Sequence, residues 1–357
     1  MPETRVRVLH IVNALGLGGT EKVMQLFATH LNPSRFHVAA FAFQDGQRGP
    51  QLRKAGIPTH VTDDLLGVLD TFRPHVVHVH RAGWPEPNLL RPLRMAGVPV
   101  VVETNVFGRH DPSPHAAVID RTLFVSRFCL NRFHATTGIP ENPDRYSFLY
   151  NPVDTDFLSS ASCRDRDFSR AVIGRISRAD PGKWSRMALD ILPLLAHDLP
   201  DFRCRIIGGI PEAVRFVAEN NLENHVAFLP AISTDAEIAD FMNSISVLAH
   251  ANDTGESFGL VIAEAMACGL PVVTHPCPGL RDNAQLELVD HGETGLVANT
   301  AEEYAKAVVR LLSHPEEARR MGRNGQEKAS RLYRVQTVTR QLESIYGELL
   351  AAKGIHA

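Results

Sequence analysis

Short apolar runs alternate with helical stretches along almost the whole chain, and this alternation constrains the fold more than any other feature. In the first half, strand-like runs lie at residues 6–12, 37–43, 75–80, 98–103 and 122–125, with helical spacing at 21–31 and 65–72. The second half repeats the pattern, with strands at 171–176, 204–207, 226–229, 246–249 and 272–274 and helices at 184–197, 212–219, 235–243 and 302–312. Strands that alternate with helices form parallel sheets covered by helices. We therefore predict an α/β protein with two Rossmann-like domains.

The length of the chain supports this division. Its 357 residues exceed the usual size of a single hydrophobic core. The charge-rich segment 159–169 has few apolar residues and is the expected hinge. We predict an N-terminal domain at 1–158, a C-terminal domain at 159–333 and a final segment at 334–357, whose helix would pack back onto the first domain.

Composition and charge narrow the functional classes. The net charge of −3 argues against a nucleic-acid-binding protein. The five cysteines show no C-x-x-C pairing, which fits a reducing cytoplasm. The start of the chain lacks a signal-peptide core, and no apolar run approaches the roughly 18 residues of a membrane span. We therefore expect a cytoplasmic protein, with any membrane contact being peripheral at the inner face.

Glu256 and Glu264 flank most of a predicted buried helix and are the most informative charged pair in the chain. The residues Phe258-Gly259-Leu260 would open this helix, and its apolar residues have helical spacing. The two acids could simply be a helix-terminus charge and a solvated helix charge. Glu264, however, lies between Ala263 and Ala265 in an apolar run, where an unpaired carboxylate is costly to bury. Together with the free N–H groups at the helix start, the pair favours a nucleotide-sugar ligand.

A glycine-rich loop follows the first predicted strand. Gly18 and Gly19 precede a helix, and glycines there let backbone amides approach a phosphate closely. The dinucleotide pattern G-x-G-x-x-G would need a glycine where the chain has Glu21, so a hydride-transferring enzyme is disfavoured. A phosphate loop and a plain strand-to-helix turn both remain open.

Two cations follow the first strand of the second half. Gly174-Arg175 ends this strand, and Lys183 lies in the next loop. Arginine can bind phosphate oxygens in a bidentate manner and lysine as a mobile point charge, which suits a diphosphate leaving group. The alternative is that both residues are ordinary surface charges.

Polar residues also mark the strand ends of the first half. His78 and His80 share one face of a strand, and His80 is nearer the end where ligands bind in such sheets, whereas His78 is expected to be a hydrogen-bonded core residue. Asn105 follows the next predicted strand, and His110 lies in the loop beyond it. The histidines lack metal-ligand spacing, and Asp154-Thr155-Asp156 is typical of a turn. We therefore expect no metal and no cofactor.

Taken together, these motifs make the sequence similar to the retaining glycosyltransferases of family 4, the group 1 transferases of the GT-B fold. The resemblance rests on the segments at 16–21, 76–80, 151–157, 174–183, 256–273 and 287–295. It implies two Rossmann-like domains that face a central cleft. It further implies that Arg175 and Lys183 hold the donor diphosphate, that Glu256 contacts the donor sugar and that Glu264 accepts ribose hydroxyls. The remaining donor-binding residues implied by the resemblance are Gly18, Gly19, Gly174, Phe258, Gly259 and Leu260.

Asn105 is one of several departures from the family pattern; the others are Asp180-Pro181-Gly182 before Lys183 and the longer loop at Arg281-Asp282-Asn283. Many members carry a histidine near the donor sugar where this chain has Asn105. An asparagine can hydrogen-bond a hydroxyl but cannot act as a base. His80 and His110 are the expected substitutes for the missing histidine. The catalytic set implied by the resemblance comprises Glu256, Arg175, Lys183, His80 and Asn105.

The sequence therefore predicts a metal-independent, retaining hexosyltransferase. It would move a sugar from a nucleotide-diphosphate sugar, with UDP favoured by its frequency in the family, to a hydroxyl acceptor in glycan, glycolipid or secondary-metabolite biosynthesis. A nucleotide-sugar epimerase of the same fold is one alternative, because it shares the architecture and the phosphate chemistry. A catalytically silent nucleotide-sugar-binding protein is a second, and Asn105 is its only hint.

Overall fold

The computed structural model describes residues 5–163 and 166–355, and the statements below concern these residues. They form two compact units. The first comprises the chain up to Val153 together with the chain from Val335 onwards, and the second is Asp154–Arg334. Residues 1–4 and 356–357 of the predicted terminal segments, and residues 164–165 of the predicted hinge, lie outside the described residues.

The first unit is built around a seven-stranded parallel sheet with the order β3-β2-β1-β4-β5-β6-β7. A short 3-10 turn at Pro114–Val118 precedes β6. The strands and helices are β1 (Val6–Ala14), α1 (Gly19–His30), β2 (Phe36–Gln44), α2 (Arg48–Lys54), β3 (Thr59–Val61), α3 (Leu65–Phe72), β4 (Val76–Arg81), α4 (Pro87–Met95), β5 (Val100–Asn105), β6 (Arg121–Phe124), α5 (Arg127–Thr137) and β7 (Tyr146–Phe148), with the final helix of the chain, Val335–Ala352, in the same unit.

The two faces of this sheet differ in chemistry. On one face, Val77 and Val79 of β4 join an apolar cluster with Leu9, Ile11 and residues of α3 and α4. Alternation sends His78 and His80 to the opposite face, where their rings lie 6.1 Å and 6.3 Å from that of Phe27 in α1. The first sheet is therefore buried on both faces, as parallel sheets usually are.

The second unit has a six-stranded parallel sheet with the order β10-β9-β8-β11-β12-β13. A single 3-10 turn at Pro181–Lys183 follows β8. Its elements are α6 (Thr155–Ala161), β8 (Val172–Ile176), α7 (Met187–Asp198), β9 (Arg203–Ile207), α8 (Pro211–Glu219), β10 (Val226–Leu229), α9 (Asp235–Asn243), β11 (Val247–Ala249), α10 (Leu260–Ala267), β12 (Val272–Thr274), α11 (Gln285–Leu288), β13 (Gly295–Val297), α12 (Ala301–Ser313) and α13 (Pro315–Leu332); the final helix, Val335–Ala352, is α14.

Two parallel α/β sheets confirm the predicted fold class. The sequence analysis did not find the three-residue strands β3, β7 and β13, although it found β11 and β12, which are equally short but buried at every residue. Within the described part of the chain, no helix is both long enough and apolar enough to cross a membrane.

The helix α10 begins as the sequence predicts. Gly259 caps it with a backbone φ of 103°, a conformation that glycine adopts and other residues rarely do. Phe258, the residue before it, is buried, and its ring packs edge-on against Tyr333 with the centroids 5.2 Å apart. The start of α10 is therefore fixed by a left-handed glycine and a buried aromatic ring.

Candidate functional site

The carboxylate of Glu256 is the centre of a polar cluster in the loop between β11 and α10. Asn252 donates to it from Nδ2 at 2.6 Å, and His250 Nε2 lies 3.2 Å from the same oxygen. Lys183 Nζ lies 3.4 Å from both carboxylate oxygens. The side chain of Glu256 is 18% exposed and that of Lys183 is 29% exposed. The structure thus brings together two predicted residues that are far apart in the sequence.

The charge of Glu256 is set by these neighbours. Burial alone would raise the pKa of its carboxyl, but the hydrogen bonds and charges of His250 and Lys183 outweigh burial and hold the pKa at about 2. The group is therefore ionised at any physiological pH. It can accept hydrogen bonds from hydroxyl groups and hold a cation, but it has no proton to donate.

The backbone of Glu256 is locked to the loop that follows β12. Its N–H donates to Oε1 of Gln285 at 3.0 Å, and its carbonyl accepts from the N–H of Ala284 at 2.9 Å. Gln285 also donates to the carbonyl of His275 at 3.0 Å, and only 1% of Gln285 is exposed. The sequence analysis did not identify Gln285, since one buried glutamine in a polar loop carries no recognisable pattern.

Arg175 is buried behind Lys183. Its guanidinium lies 3.8 Å from the centroid of the Trp184 ring and donates to the carbonyls of Lys183 and, at 3.4 Å, Ala251. It also donates to the hydroxyl of Ser177 at 2.7 Å. Burial lowers the pKa of Arg175 to about 10, so it is still a cation at neutral pH. The residue supplies positive charge and fixes the backbone of Lys183, while its described partners are protein groups.

Four further predicted donor residues lie in the second unit. A Cβ atom added to Gly174 would come within 2.5 Å of Cδ1 of Ile245, so packing explains this glycine. Glu264 lies in α10 and is 3% exposed, which contradicts the alternative that it is a solvated helix charge. Leu260 is the first residue of α10, directly after Gly259. The contacts of Gly174, Glu264, Gly259 and Leu260 with a nucleotide stay predictions.

Gly18 and Gly19 lie at the start of α1 in the first unit. Gly18 caps the helix with extended backbone angles and accepts from the N–H of Lys22 at 3.1 Å. A Cβ atom at Gly18 would lie 2.1 Å from Oε2 of Glu21, so the carboxylate of Glu21 folds back over the loop. A strand-to-helix turn is therefore present, and its approach to a phosphate stays a prediction.

His80 belongs to a buried group of three histidines. His10 Nδ1 and His80 Nε2 are 3.0 Å apart, and the His78 and His80 rings stack with centroids 4.3 Å apart. Burial lowers the pKa of His10 to about 3 and, with the neighbouring histidines, the pKa of His78 and of His80 well below the usual value. All three imidazoles are therefore neutral. The sequence analysis missed His10, because only the pairing of β1 with β4 places it beside His78.

The same three histidines are a candidate metal site, since one nitrogen from each lies within 4.8 Å of the others. The donor set does not favour a metal. His78 already uses Nδ1 with the Tyr346 hydroxyl at 2.6 Å and Nε2 with the Thr104 hydroxyl at 2.8 Å. His78 is thus the hydrogen-bonded core residue that the sequence predicts, whereas Nε2 of His10 and Nδ1 of His80 are buried without a hydrogen-bond partner among the described residues.

Asn105 is engaged by its own loop. Its Nδ2 donates to the carbonyl of Arg109 at 2.8 Å and its Oδ1 accepts from the N–H of Arg109 at 3.3 Å. The residue is 2% exposed, whereas His110 is exposed and packs edge-on against Phe133, with their ring centroids 6.0 Å apart. Asn105 therefore closes the loop after β5, and its contact with a sugar stays a prediction.

The aspartates at 154 and 156 have structural roles. Asp154 caps α6 by accepting from the N–H of Phe157 at 3.1 Å, and Asp156 pairs with Arg334 at 2.7 Å. The segment is thus the start of a helix rather than the turn that the sequence predicts, and the absence of a metal from it stays a prediction.

Comparison with known proteins adds to this geometry. A family model described as glycosyl transferases group 1 matches residues 167–328. The N-acetyl-alpha-D-glucosaminyl L-malate synthase of Bacillus anthracis is 31% identical over 164 residues, which is 45% of this chain and 39% of that protein. The phosphatidyl-myo-inositol mannosyltransferase of Mycobacterium leprae is 34% identical over 211 residues, covering 57% of this chain and 54% of that protein. The chain thus spans about two fifths to about half of the length of these two relatives.

The fold also matches solved structures. HepE of Anabaena, crystallised with UDP and glucose, has a TM-score of 0.77 and 20% identity, covering 96% of this chain and 100% of that chain. At this identity the likeness concerns the fold alone. The two parallel-sheet units are those of the GT-B fold.

Proposed function

We propose that this chain, which matches the model of the group 1 glycosyl transferases over residues 167–328, is a member of that family that moves a hexose-type sugar from a nucleoside-diphosphate sugar to a hydroxyl acceptor and retains the anomeric configuration. The observation that carries the proposal is the contact of Lys183 Nζ with the ionised carboxylate of Glu256, at 3.4 Å, in the loop before α10. This contact places a carboxylate, which can accept hydrogen bonds from sugar hydroxyls, beside an ammonium group, which can bind phosphate oxygens.

Glu256 acts on the donor sugar as an acceptor of hydrogen bonds. Its pKa of about 2 keeps it anionic, and Asn252 and His250 orient it. A carboxylate fixed by three neighbours loses little entropy when it binds a hydroxyl. Its negative charge also stabilises positive charge that develops on the sugar ring when the bond to the diphosphate breaks.

Lys183 and Arg175 act on the leaving group. Lys183 is partly exposed, and its ammonium group is carried by a flexible four-carbon chain. Its Nζ can therefore move from Glu256 to a phosphate oxygen. Arg175 holds the backbone of Lys183 and adds a second positive charge behind it. Two cations provide the charge that a metal ion would otherwise provide, so the reaction is proposed to be metal-independent.

UDP is the favoured nucleotide. HepE of Anabaena, whose fold this chain shares, was solved with UDP and glucose, which supports a uridine donor without fixing it. The two relatives named above differ in their acceptors, as their names state, so the acceptor of this chain is argued from its own residues below.

A donor panel tests the proposal. Purified full-length chain is incubated with UDP-, GDP- and ADP-hexoses, with and without EDTA, and the release of free nucleotide is measured together with the sugar products by NMR. The proposal expects slow nucleotide release from one class of donor, unchanged by EDTA. Interconversion of two nucleotide sugars without nucleotide release would favour an epimerase, and tight binding of a nucleotide without turnover would favour a silent binding protein.

A further inference from the structure

The loops after β4 and β5 present two exposed aromatic rings and an arginine side by side. Trp84 is 48% exposed and Phe107 is 41% exposed, with their ring centroids 6.0 Å apart. The Arg109 guanidinium lies 5.9 Å from the centroid of the Trp84 ring. We call Trp84, Phe107 and Arg109 the aromatic platform. Paired aromatic rings on a soluble surface usually mark a contact with a ligand or partner.

Buried charges hold the first of these loops in place. Arg81 pairs through Nε with Glu103 at 2.7 Å and through its NH1 group with Asp111 at 3.1 Å, and its side chain is 2% exposed. The same NH1 group donates to the carbonyl of Trp84. Burying ionised groups is costly unless they are well paired. Here Arg81 is paired with two carboxylates, and it fixes the backbone of Trp84 and connects the loop after β4 to the loop after β5.

The second loop is held just as closely. Asn105 bonds both the carbonyl and the N–H of Arg109, and an arginine on α5, Arg132, donates to the carbonyl of Phe107 at 2.7 Å. Gly83 has a φ of 91°, and a Cβ atom there would lie 2.3 Å from Nδ2 of Asn105 and 2.7 Å from the Arg109 carbonyl. The backbone of the aromatic platform is therefore preorganised, although its side chains are exposed.

The charge of the platform is positive. Among the described residues, no carboxylate lies within ion-pair distance of the Arg109 guanidinium, which is exposed. The nearby acids Asp111 and Glu86 face Arg81 instead, at 3.1 Å and 3.5 Å. A ligand that stacks on the rings therefore meets an available guanidinium, which binds carboxylate or phosphate in a bidentate manner.

The platform also lies at a favourable place in the sheet. The order β3-β2-β1-β4-β5 reverses direction between β1 and β4, and the platform follows the carboxyl ends of β4 and β5. Open parallel sheets bind ligands at the carboxyl ends of strands next to such a reversal.

We propose that the aromatic platform binds the acceptor as a sugar ring that carries an anionic group, with the ring face on Trp84 and the carboxylate or phosphate on Arg109. The inference rests on the proposed transferase function and names its acceptor class. It also gives Asn105 a positioning role, since this residue fixes the backbone of Arg109.

The test uses three probes that differ in charge, namely methyl β-D-glucuronide, glucose 6-phosphate and neutral methyl β-D-glucoside. Their binding to the full-length chain is measured by ligand-observed NMR titration with saturating UDP, which keeps the phosphate probe away from Lys183. We expect at least one anionic probe to bind about five to ten times more tightly than the neutral glucoside. Comparison of the two anionic probes distinguishes a uronate acceptor from a phosphorylated one.

Variants locate the binding. Arg109→Ala should bring the anionic probes to the affinity of the neutral one, and Trp84→Ala should weaken all three. The matched controls are Arg94→Ala, an exposed arginine at the end of α4, and Phe157→Ala, an aromatic residue of the second unit that is 38% exposed. Both should leave the affinities unchanged.

Several results would overturn the inference. These are equal affinities for all three probes, a preference for anions that survives Arg109→Ala, or an unchanged affinity in Trp84→Ala. Binding of the chain to anionic phospholipid vesicles that Trp84→Ala abolishes, without sugar binding, would assign the platform to a membrane surface instead. Calorimetry of UDP, GDP and ADP binding runs in parallel, because failure of the wild type to bind any of the three nucleotides would contradict the transferase function while leaving the platform result intact.

Discussion

At the scale of single residues, the site separates two cations that look alike in the sequence. The ammonium group of Lys183 is partly exposed and lies beside the carboxylate of Glu256. Arg175, in contrast, is buried and donates to backbone carbonyls. We propose that Lys183 binds the ligand, whereas Arg175 holds the loop. The sequence could predict that both are present, but burial and hydrogen-bond partners depend on the fold.

Substitution of the two cations should therefore have different effects. Lys183→Ala should weaken UDP binding about tenfold without lowering the unfolding temperature, since an exposed charge stabilises the fold little. Arg175→Ala should weaken UDP binding and also lower the free energy of unfolding by about 3 kcal/mol, because buried carbonyls lose a charged donor. Calorimetry and thermal unfolding measure both effects, with the exposed Lys306→Ala as the control. Equal destabilisation by the two substitutions would contradict this division of roles.

Asn105 gives a second contrast at this scale. Restoring the histidine that many relatives carry should not raise turnover, because the space around the amide is occupied by Gly83 and the Arg109 backbone. Asn105→His should lower the unfolding temperature and increase hydrogen exchange at residues 106–111. Turnover in the donor panel and exchange mass spectrometry provide the measurements. Faster turnover with unchanged hydrogen exchange would contradict this prediction. It would show that a histidine at this position acts in catalysis and that Asn105 does not anchor the loop.

At the scale of secondary-structure elements, two features show what the sequence can and cannot predict. One is the start of α10, and the other is the buried group formed by His10 of β1 with His78 and His80 of β4, which we call the histidine layer. The sequence predicted the helix well, because glycines mark both of its ends and its apolar run has a clear period. It could not predict the layer, since His10 meets His78 and His80 only after β1 pairs with β4. Local patterns were thus predictable and pairings between distant strands were not.

Gly259 tests the helix start. Gly259→Ala forces an alanine into a φ of 103° and brings its Cβ within 3.3 Å of Ile262, so the free energy of unfolding should fall by about 1–2 kcal/mol. Donor affinity should fall as well, because the loop that carries Glu256 precedes this residue. The control is Gly347→Ala, where nothing lies within 4 Å of the added Cβ, and it should be neutral or slightly stabilising. Chemical denaturation and UDP calorimetry compare the two variants.

The histidine layer predicts how stability depends on pH. The folded pKa of His10 is about 3 and the usual value is 6.5, so the unfolded chain binds more protons between these values. The free energy of unfolding should therefore fall as the pH drops from about 6.5 towards about 3. His78, His80 and the Tyr346 hydroxyl face the same space, and both histidines act in the same direction.

Denaturation of the wild type and of His10→Gln at pH 7 and pH 5 measures this dependence. The variant should lose less stability than the wild type on acidification. The control is His197→Asn in the second unit, whose side chain is 87% exposed and which should behave as the wild type does. An identical pH dependence in the wild type and His10→Gln would contradict burial of a neutral histidine layer.

At the scale of the whole molecule, two parallel α/β units follow from the alternation of strands and helices, and the segments around Gly174 and Glu256 lie within residues 167–328, which match the model of the group 1 glycosyl transferases. The sequence did not reveal what orients Glu256, because His250, Asn252 and Gln285 belong to no recognisable motif. It also did not reveal the aromatic platform, whose residues come from two loops that only the sheet brings together. The motifs therefore predicted a chemistry, and the neighbouring groups that would position it depend on tertiary packing.

We propose that Glu256 is an ionised group at the donor sugar, and the variant Glu256→Gln removes that charge while keeping the shape of the side chain. The measurement is nucleotide release from the preferred donor, with UDP affinity by calorimetry and Glu219→Gln, an exposed acid at the end of α8, as the control. We expect that Glu256→Gln folds, still binds UDP and releases nucleotide about 100 times more slowly, the size of effect expected for a lost electrostatic contact in a transition state. Nucleotide release at the wild-type rate in this variant would contradict it.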